Sequence, residues 1–389
     1  MIVLSGARIF DGENFLLDHA VVVEGERIAA IVPYAERHQG AARDLAGGLL
    51  APGYIDVQGN GGGGVLFNED PTPEAIARIA AAHRKHGTVG LLPTLVTDAP
   101  QVMTAAIAAT REARRRTPAT LGLHLEGPFL DPRRRGAHEL KYIRDLAPGD
   151  VETIVDADCG AVMVTLAPNR VGAASIAELA RRGVLVSLGH SEASYEEARA
   201  AIQAGARAFT HLFNAMSASV GREPGMVGAA LDLADAFVGI IADGHHVHEA
   251  NLRIALAAKR HDRFMLISDA MPPTAGGPDH FDLQGRRVTR ANGCLRLEDG
   301  TLAGSVLTMD EAVRYVVNVV GAISATRSRW HRGFRRLFSG ATTSLAASRR
   351  AISRASCIWM TSCGCSKPGS RAGRPPTAPG AMIWRALFD

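Results

Sequence analysis

The chain has 389 residues, enough to bury a large core, and with 47% hydrophobic and 21% charged residues it has an ordinary globular composition. Five cysteines without a C-x-x-C pair exclude a disulfide framework and a thiolate metal site, and the lack of a membrane-length apolar run or a basic-then-apolar leader makes a cytoplasmic protein the expectation. The net charge of +4 is unevenly spread: residues 322–389 hold eleven arginines and one lysine against Asp389 alone, which is +11 and leaves −7 for the rest.

Residues 1–50 read as a small β domain. Two apolar runs flank Glu24-Gly25-Glu26 between Ala20 and Val32, the pattern of two strands joined by a turn. From Ala51 the chain alternates apolar runs with amphipathic helices until about residue 320. The runs are Tyr54 to Val57, Val89 to Leu95, Leu121 to Leu125, Ala161 to Leu166, Val184 to Leu188, Ala208 to Phe213, Val238 to Ala242 and Phe264 to Ser268. Eight in series, with helices between most of them, predict an α/β fold: a (β/α)8 TIM-type barrel over residues 51–320, beside the small β domain.

Polar residues follow these runs, at the end where barrels do their chemistry. His190 follows the fifth run, and the sixth carries His211 with Asn214 just beyond. Between them, Ser194 and Glu197 form an S-x-x-E capping box, and Tyr195, Ala198 and Ile202 recur at helical spacing. One strand–helix–strand unit therefore carries two imidazoles at matching ends. A lone histidine there is more often a hydrogen-bonded scaffold residue. Two in step on neighbouring strands suit a borderline-soft divalent cation, provided other strands bring a carboxylate and a base to the same face. Glu126 follows the third run, Asp243-Gly244-His245-His246 the seventh and Asp269 the eighth. Gln58-Gly59-Asn60 and four more glycines follow the first; without the helix context of G-x-G-x-x-G this is no dinucleotide fingerprint, and it suits close backbone packing around a site.

His124-Leu125-Glu126-Gly127-Pro128-Phe129, Gly189-His190-Ser191, Thr210-His211-Leu212-Phe213-Asn214-Ala215-Met216, Gly221-Arg222-Glu223-Pro224-Gly225 and Ile241-Ala242-Asp243-Gly244-His245-His246 stand in one order along the chain. Together they resemble the N-acetylglucosamine-6-phosphate deacetylases of the amidohydrolase superfamily, a likeness that runs from the first residues to about Val320. The resemblance implies a β-sandwich for the small domain and hydrolysis of the N-acetyl group of N-acetyl-D-glucosamine 6-phosphate. It implies that Glu126, His190 and His211 bind one divalent metal ion, with zinc expected and iron or cobalt as alternatives. Three mixed N and O ligands leave a position open for water, as a hydrolytic site requires. Asp269 resembles the catalytic aspartate, and His138 the histidine that polarises the acetamide carbonyl. Ala137, His138, Asn214, Ala215, Arg222, Asp243, His246 and the run Leu302, Ala303, Gly304 and Ser305 match substrate positions, and a homodimer is implied. Many relatives carry His-x-His where Gln58-Gly59-Asn60 stands; neutral amides are poor zinc ligands, so a mononuclear site is expected. Another N-acyl substrate, or a non-catalytic metal or sugar-phosphate binder, are the alternatives, and nucleic-acid binding through the arginines is disfavoured by the acidic body.

Near residue 321 both the resemblance and any binary pattern stop. All three tryptophans and the whole arginine excess lie beyond that point. Ile358-Trp359-Met360-Thr361 must be encoded ATH-TGG-ATG-ACN, and read one base earlier this string gives Leu or Met followed by Asp-Asp. An apolar residue followed by acids resembles the end of the family's C-terminal strand. Residues 321–389 are therefore expected to be an aberrant, frame-shifted tail that replaces the last barrel helix and the closing strands of the small domain.

Overall fold

The computed structural model describes residues 1–12, 14–37, 40–321 and 357–360. They fall into two compact units, one reaching Gly53 and including the strand Cys357–Met360, the other beginning at Tyr54.

The first unit contains β1 (Ile2–Ser5), β2 (Arg8–Phe10), β3 (Phe15–Leu16), β4 (His19–Glu24), β5 (Arg27–Pro33), β6 (Ala41–Asp44) and β7 (Leu49–Pro52). One sheet has the order β5-β4-β1-β6; the other runs Cys357–Met360, β7, β2, β3. Leu4 and Val21 from the first sheet and Ile9 and Leu50 from the second share one buried core, which makes the unit a sandwich. The expected turn joins β4 to β5, with Gly25 at φ 56°, a conformation glycine adopts without a Cβ penalty. Cys357–Met360 pairs antiparallel with β7, Trp359 opposite Leu50. The rest of the tail expected to be aberrant, 322–356 and 361–389, lies outside the described residues.

The second unit runs β8 (Tyr54–Gly59), a hairpin of β9 (Gly61–Gly62) and β10 (Val65–Leu66), α1 (Pro73–Arg84), β11 (Thr88–Val96), α2 (Pro100–Arg116), β12 (Gly122–Glu126), α3 (Pro148–Val155), β13 (Ala161–Leu166), α4 (Ala173–Arg181), β14 (Leu185–Leu188), α5 (Tyr195–Gln203), β15 (Ala208–Phe209), α6 (Gly225–Asp232), β16 (Phe237–Ile240), α7 (Glu249–Ala258), β17 (Phe264–Leu266), β18 (His280–Leu283), β19 (Arg286–Ala291), β20 (Cys294–Leu297) and α8 (Met309–Asn318). β8 and β11 to β17 form one eight-stranded parallel sheet in sequence order. It closes on itself where the Asp269 N–H donates to the Gln58 carbonyl (2.8 Å) and Ala270 bridges Gly59. Every residue of β12, β13, β14 and β16 is buried, as expected of strands covered on both faces. The unit is the predicted (β/α)8 barrel.

Helix starts follow their caps. The Thr72 hydroxyl accepts from the Ala75 N–H (3.2 Å) with Pro73 in the first turn of α1. Ser194 and Glu197 cap α5 reciprocally, as their spacing predicts. The sixth apolar run departs from expectation: its ladder ends at Phe209, because the backbone turns into the left-handed region at His211.

A buried polar layer crosses the barrel interior. His124 Nδ1 donates to the Val57 carbonyl (3.0 Å), and its Nε2 meets the Thr165 hydroxyl (2.8 Å), which in turn contacts Thr210 (2.7 Å). Burial pushes the His124 imidazole down to about 4, so it is neutral near pH 7. The antiparallel β18-β19-β20 meander has no counterpart among the elements predicted from sequence. Its Leu283, Val288, Leu295 and Leu297 cluster with Leu66, Val96, Met271 and Ala303. No helix among the described residues is long and apolar enough to cross a membrane.

Candidate active site

Leu188 of β14 stands opposite Phe209 of β15, so His190 and His211, each two residues further on, leave their strands in step. His190 (φ 48°), His211 (φ 34°) and Asp269 (φ 50°) all turn through the left-handed region. That backbone costs about 1–3 kcal/mol per non-glycine residue and persists where the surroundings dictate it. Here it brings three side chains from three strand ends to one place, where Glu126 at the end of β12 joins them.

His211 Nε2 lies 3.0 Å from Glu126 Oε1 and 3.0 Å from His190 Nε2, and His190 Nε2 lies 3.3 Å from the same Glu126 oxygen. Donors around a tetrahedral ion with bonds of about 2.0–2.2 Å stand about 3.3–3.6 Å apart, so this triangle is close to the size such an ion requires. His190 Nδ1 donates to the Arg134 carbonyl (2.8 Å), which leaves Nε2 with a free lone pair, as ligation needs. Glu126, His138 and His190 also bring ligand atoms within 4.8 Å of one another. His138 stands further out, with Nε2 4.0 Å from Glu126 Oε2. Glu126, His190 and His211 are therefore the tighter set that could hold a divalent cation.

The electrostatics are those of a buried cluster of ionisable groups. Burial would raise the Glu126 carboxyl, but hydrogen bonds from His190 and His211 hold it well below the usual carboxylate range. Burial opposes charge on His211, yet Glu126 raises its pKa all the same. Asp269 is pushed up to about 7, first by burial and then by the Glu126 charge. His138 is driven well below its ordinary value by burial and by the neighbouring His190.

Asp269 is held from several sides. Asn60 Nδ2 donates to its Oδ1 (2.7 Å), and Gln58 Nε2 donates to the same oxygen (3.2 Å) and to Glu126 Oε1 (2.9 Å). The Ser305 N–H donates to the Asp269 carbonyl (2.8 Å). The side-chain bonds come from residues the sequence reading treats only as non-ligands. Their spacing was the available signal, since residues two apart on a strand share a face.

The centre opens on a cavity of about 340 Å³, within the range of small-ligand sites. Ala137, His138, Asn214, Ala215, His246, Leu302 and Gly304 line its wall. Other expected substrate contacts are placed elsewhere. Asp243 stands behind the wall: its Oδ2 accepts from His246 Nδ1 (2.7 Å), and Oδ1 accepts from the His245 (2.9 Å) and His246 (2.8 Å) N–H groups. Burial is outweighed by the His246 hydrogen bond, so the Asp243 carboxyl lies below its ordinary value. Ala303 is fully buried in the cluster under the meander, and Ser305 Oγ donates to the Ser268 carbonyl (2.5 Å). Arg222 is exposed on the turn between Val220 and Glu223 and is not part of the wall formed by the described residues. Val96, Met271 and Leu283 supply an apolar wall absent from the sequence reading.

A closed parallel barrel with buried nitrogen and oxygen donors beside a carboxylate at its strand ends defines a hydrolase of the metal-dependent barrel class. The chain belongs to the amidohydrolase family, which residues 49–296 match, while residues 1–50 match the NagA composite domain. It is 40% identical over 319 residues to N-acetylgalactosamine-6-phosphate deacetylase of Shewanella sp. (strain ANA-3), covering 81% of each chain. It is 35% identical over 317 residues to N-acetylglucosamine-6-phosphate deacetylase of Haemophilus influenzae, covering 80% of this chain and 83% of that one. Among solved structures it is similar to N-acetylglucosamine-6-phosphate deacetylase from Pasteurella multocida, with a TM-score of 0.83, 35% identity, and 88% and 92% of the two chains covered.

Proposed function

We propose that this chain hydrolyses the N-acetyl group of N-acetyl-D-glucosamine 6-phosphate, giving glucosamine 6-phosphate and acetate in amino sugar catabolism. The observation that carries this is the opening of the Glu126–His190–His211 triangle and Asp269 onto one cavity with His246 in its wall. Glu126, His190 and His211 hold one divalent cation, zinc by preference and iron or cobalt as alternatives. When bound, the cation polarises the acyl carbonyl and makes water acidic enough to attack near neutral pH.

Asp269 takes the proton that water loses as its oxygen bonds to the acyl carbon. It returns that proton to the sugar nitrogen as the carbon–nitrogen bond breaks, so the amine leaves with acetic acid, whose remaining proton passes to the amine or to water to give acetate. His138 donates from Nε2 to the carbonyl oxygen as negative charge builds there. The Thr97 hydroxyl (2.8 Å) and the Thr97 N–H (3.3 Å) both meet His138 Nδ1 and hold the ring in place. His246, oriented by Asp243, meets the phosphate, and Asn214, Ala215, Ala137, Leu302 and Gly304 shape the sugar site. Arg222, exposed in a single chain, joins the phosphate from the second copy of a homodimer, where its planar fork suits a dianion. The enzyme works in the cytoplasm without nucleic acid or membrane.

N-acetyl-D-galactosamine 6-phosphate is a second substrate, favoured by the 40% identity to the Shewanella N-acetylgalactosamine-6-phosphate deacetylase. Acetate release tests both, using stripped protein reloaded with zinc, iron or cobalt, both phosphorylated epimers and unphosphorylated N-acetylglucosamine. Turnover of a phosphorylated sugar well above the unphosphorylated one is expected. Turnover of some other N-acyl compound alone would move the chain to a different amidohydrolase substrate, and none with any cation would make it a non-catalytic binder.

A further inference from the structure

Gln58 and Asn60 are both almost wholly buried, at 1% and 0% exposure. Gly59 between them bridges Ala270, and the Asn60 N–H donates to the Ala270 carbonyl (2.9 Å). The backbone bearing both amides is thus stitched to the backbone bearing Asp269. Each of the two hydrogens on Gln58 Nε2 has a carboxylate to meet, Glu126 Oε1 (2.9 Å) and Asp269 Oδ1 (3.2 Å). Asn60 Nδ2 gives Asp269 Oδ1 its shortest hydrogen bond (2.7 Å), while Asn60 Oδ1 is buried without a partner among the described residues. A buried acceptor left unsatisfied is costly, and flipping the amide would only turn that oxygen toward a carboxylate. The orientation of Asn60 is therefore set by what its nitrogen does for Asp269.

A free carboxylate is two-fold symmetric about its last torsion and can present either oxygen. Two amide donors on one oxygen remove that equivalence. We infer that Asn60, assisted by Gln58, is a positioning residue that occupies Oδ1 of Asp269 and leaves Oδ2 as the one oxygen that exchanges the proton in the cavity. This rests on the proton-transfer role of Asp269 proposed above. The Gln58 amide also lies between the two carboxylates, holding apart groups that would otherwise repel each other while keeping both within reach of the centre.

Asn60→Ala, Asn60→Asp and Gln58→Met are compared with the parent for kcat, KM, bound metal per chain and thermal unfolding. Asn60→Ala is expected to lower kcat about ten- to hundredfold, the scale of a misplaced reacting group, with KM, bound metal and Tm near those of the parent. Asn60→Asp keeps the shape but puts an acceptor against Asp269, so it should lose at least as much; Gln58→Met removes the longer bond and should lose less. The inference is overturned by an Asn60→Ala protein whose kcat stays within about twofold of the parent, or by a kcat loss matched by an equal loss of metal. Should Asn60→Ala fail to fold, the near-isosteric Asn60→Asp protein decides by the same two criteria. Asp269→Asn separates the levels: if it still turns over, the role of Asp269 is wrong, whereas an inactive Asp269→Asn beside a fully active Asn60→Ala removes only the positioning role.

Discussion

The Nε2 atoms of His190 and His211 face each other at 3.0 Å. With His190 Nδ1 donating to the Arg134 carbonyl, a neutral His190 turns a lone pair toward its neighbour, and Glu126 adds a carboxylate oxygen within 3.3 Å of both rings. Such a cluster gathers electron pairs in a buried place and is satisfied by a proton or by a cation. A cation held only by the folded chain stabilises it by about 3–4 kcal/mol at 100 to 1,000 times its dissociation constant. Thermal unfolding in the presence of a chelator is therefore expected to shift several degrees down, to recover on adding zinc, and to become insensitive to both in Glu126→Gln. Identical melting with and without chelator would mean that the triangle holds no ion.

Asp269 stands beside the triangle and is tied to it through the Gln58 amide. Asp269→Asn keeps the shape and removes the proton exchange. Turnover should fall by about 10² to 10⁴, the usual share of general acid–base catalysis, with metal content unchanged. Elemental analysis beside the acetate assay checks both halves; a variant that loses its metal would show Asp269 acting as a ligand instead.

The barrel is legible because its strands are almost wholly buried and so read as continuous apolar runs, six of them followed by polar residues at the end where barrels do their chemistry. His190, His211, Glu126 and Asp269 are found this way, and the in-step register of β14 and β15 brings the two rings together as their spacing suggests. The meander is not legible: in β19 only Val288 is buried, so its alternation carries almost no signal. Nor can one chain's sequence separate residues that touch the cavity from those that orient them. Asp243 and His246 are three apart and equally polar, yet one lines the wall and the other only fixes the ring. That division depends on which way a loop turns, which is decided by tertiary hydrogen bonds to backbone atoms.

Lys259 makes a prediction about pH. It is 5% exposed at the end of α7, with Nζ donating to the Leu233 carbonyl (2.7 Å). Burial, and then the Arg263 charge, push its pKa down to about 8 against the attraction of Asp232 and Asp235. Below pH 8 the ammonium is charged in both states and the folded chain carries the full burial penalty. Between about 8 and its unfolded value near 10.4, the folded chain has shed a proton that the unfolded chain keeps, so unfolding becomes harder as pH rises. Lys259→Met has no such group. The Tm of the parent should therefore gain on that of Lys259→Met between pH 8 and 10, whatever their order at pH 7, and a flat or opposite trend would show the amine to be solvated.

The arginine-rich stretch beyond residue 321 makes the last prediction. We propose that 321–389 is encoded in a displaced frame, since eleven arginines against one acid and all three tryptophans fall there, after a body of net charge −7. Cys357–Met360 nevertheless pairs with β7 in the small unit, the place where the expected closing strand of the family would be wanted. Backbone pairing of this kind is tolerant of side chains, because the ladder is made by N–H and C=O groups that every residue but proline supplies. What a displaced frame would lose is the pattern of apolar faces that makes such a strand bury area. Sequencing of the coding DNA is expected to show an insertion or deletion near codons 320 to 322. A repaired version should be more soluble and melt several degrees higher, since each kcal/mol is worth about 2–4 °C in a domain of barrel size. The deacetylase site should be unchanged, because every residue assigned to it lies before the break. Clean DNA that encodes the tail as it stands, with an intact mass to match, would remove the frame-shift and leave the tail as a genuine segment of the protein.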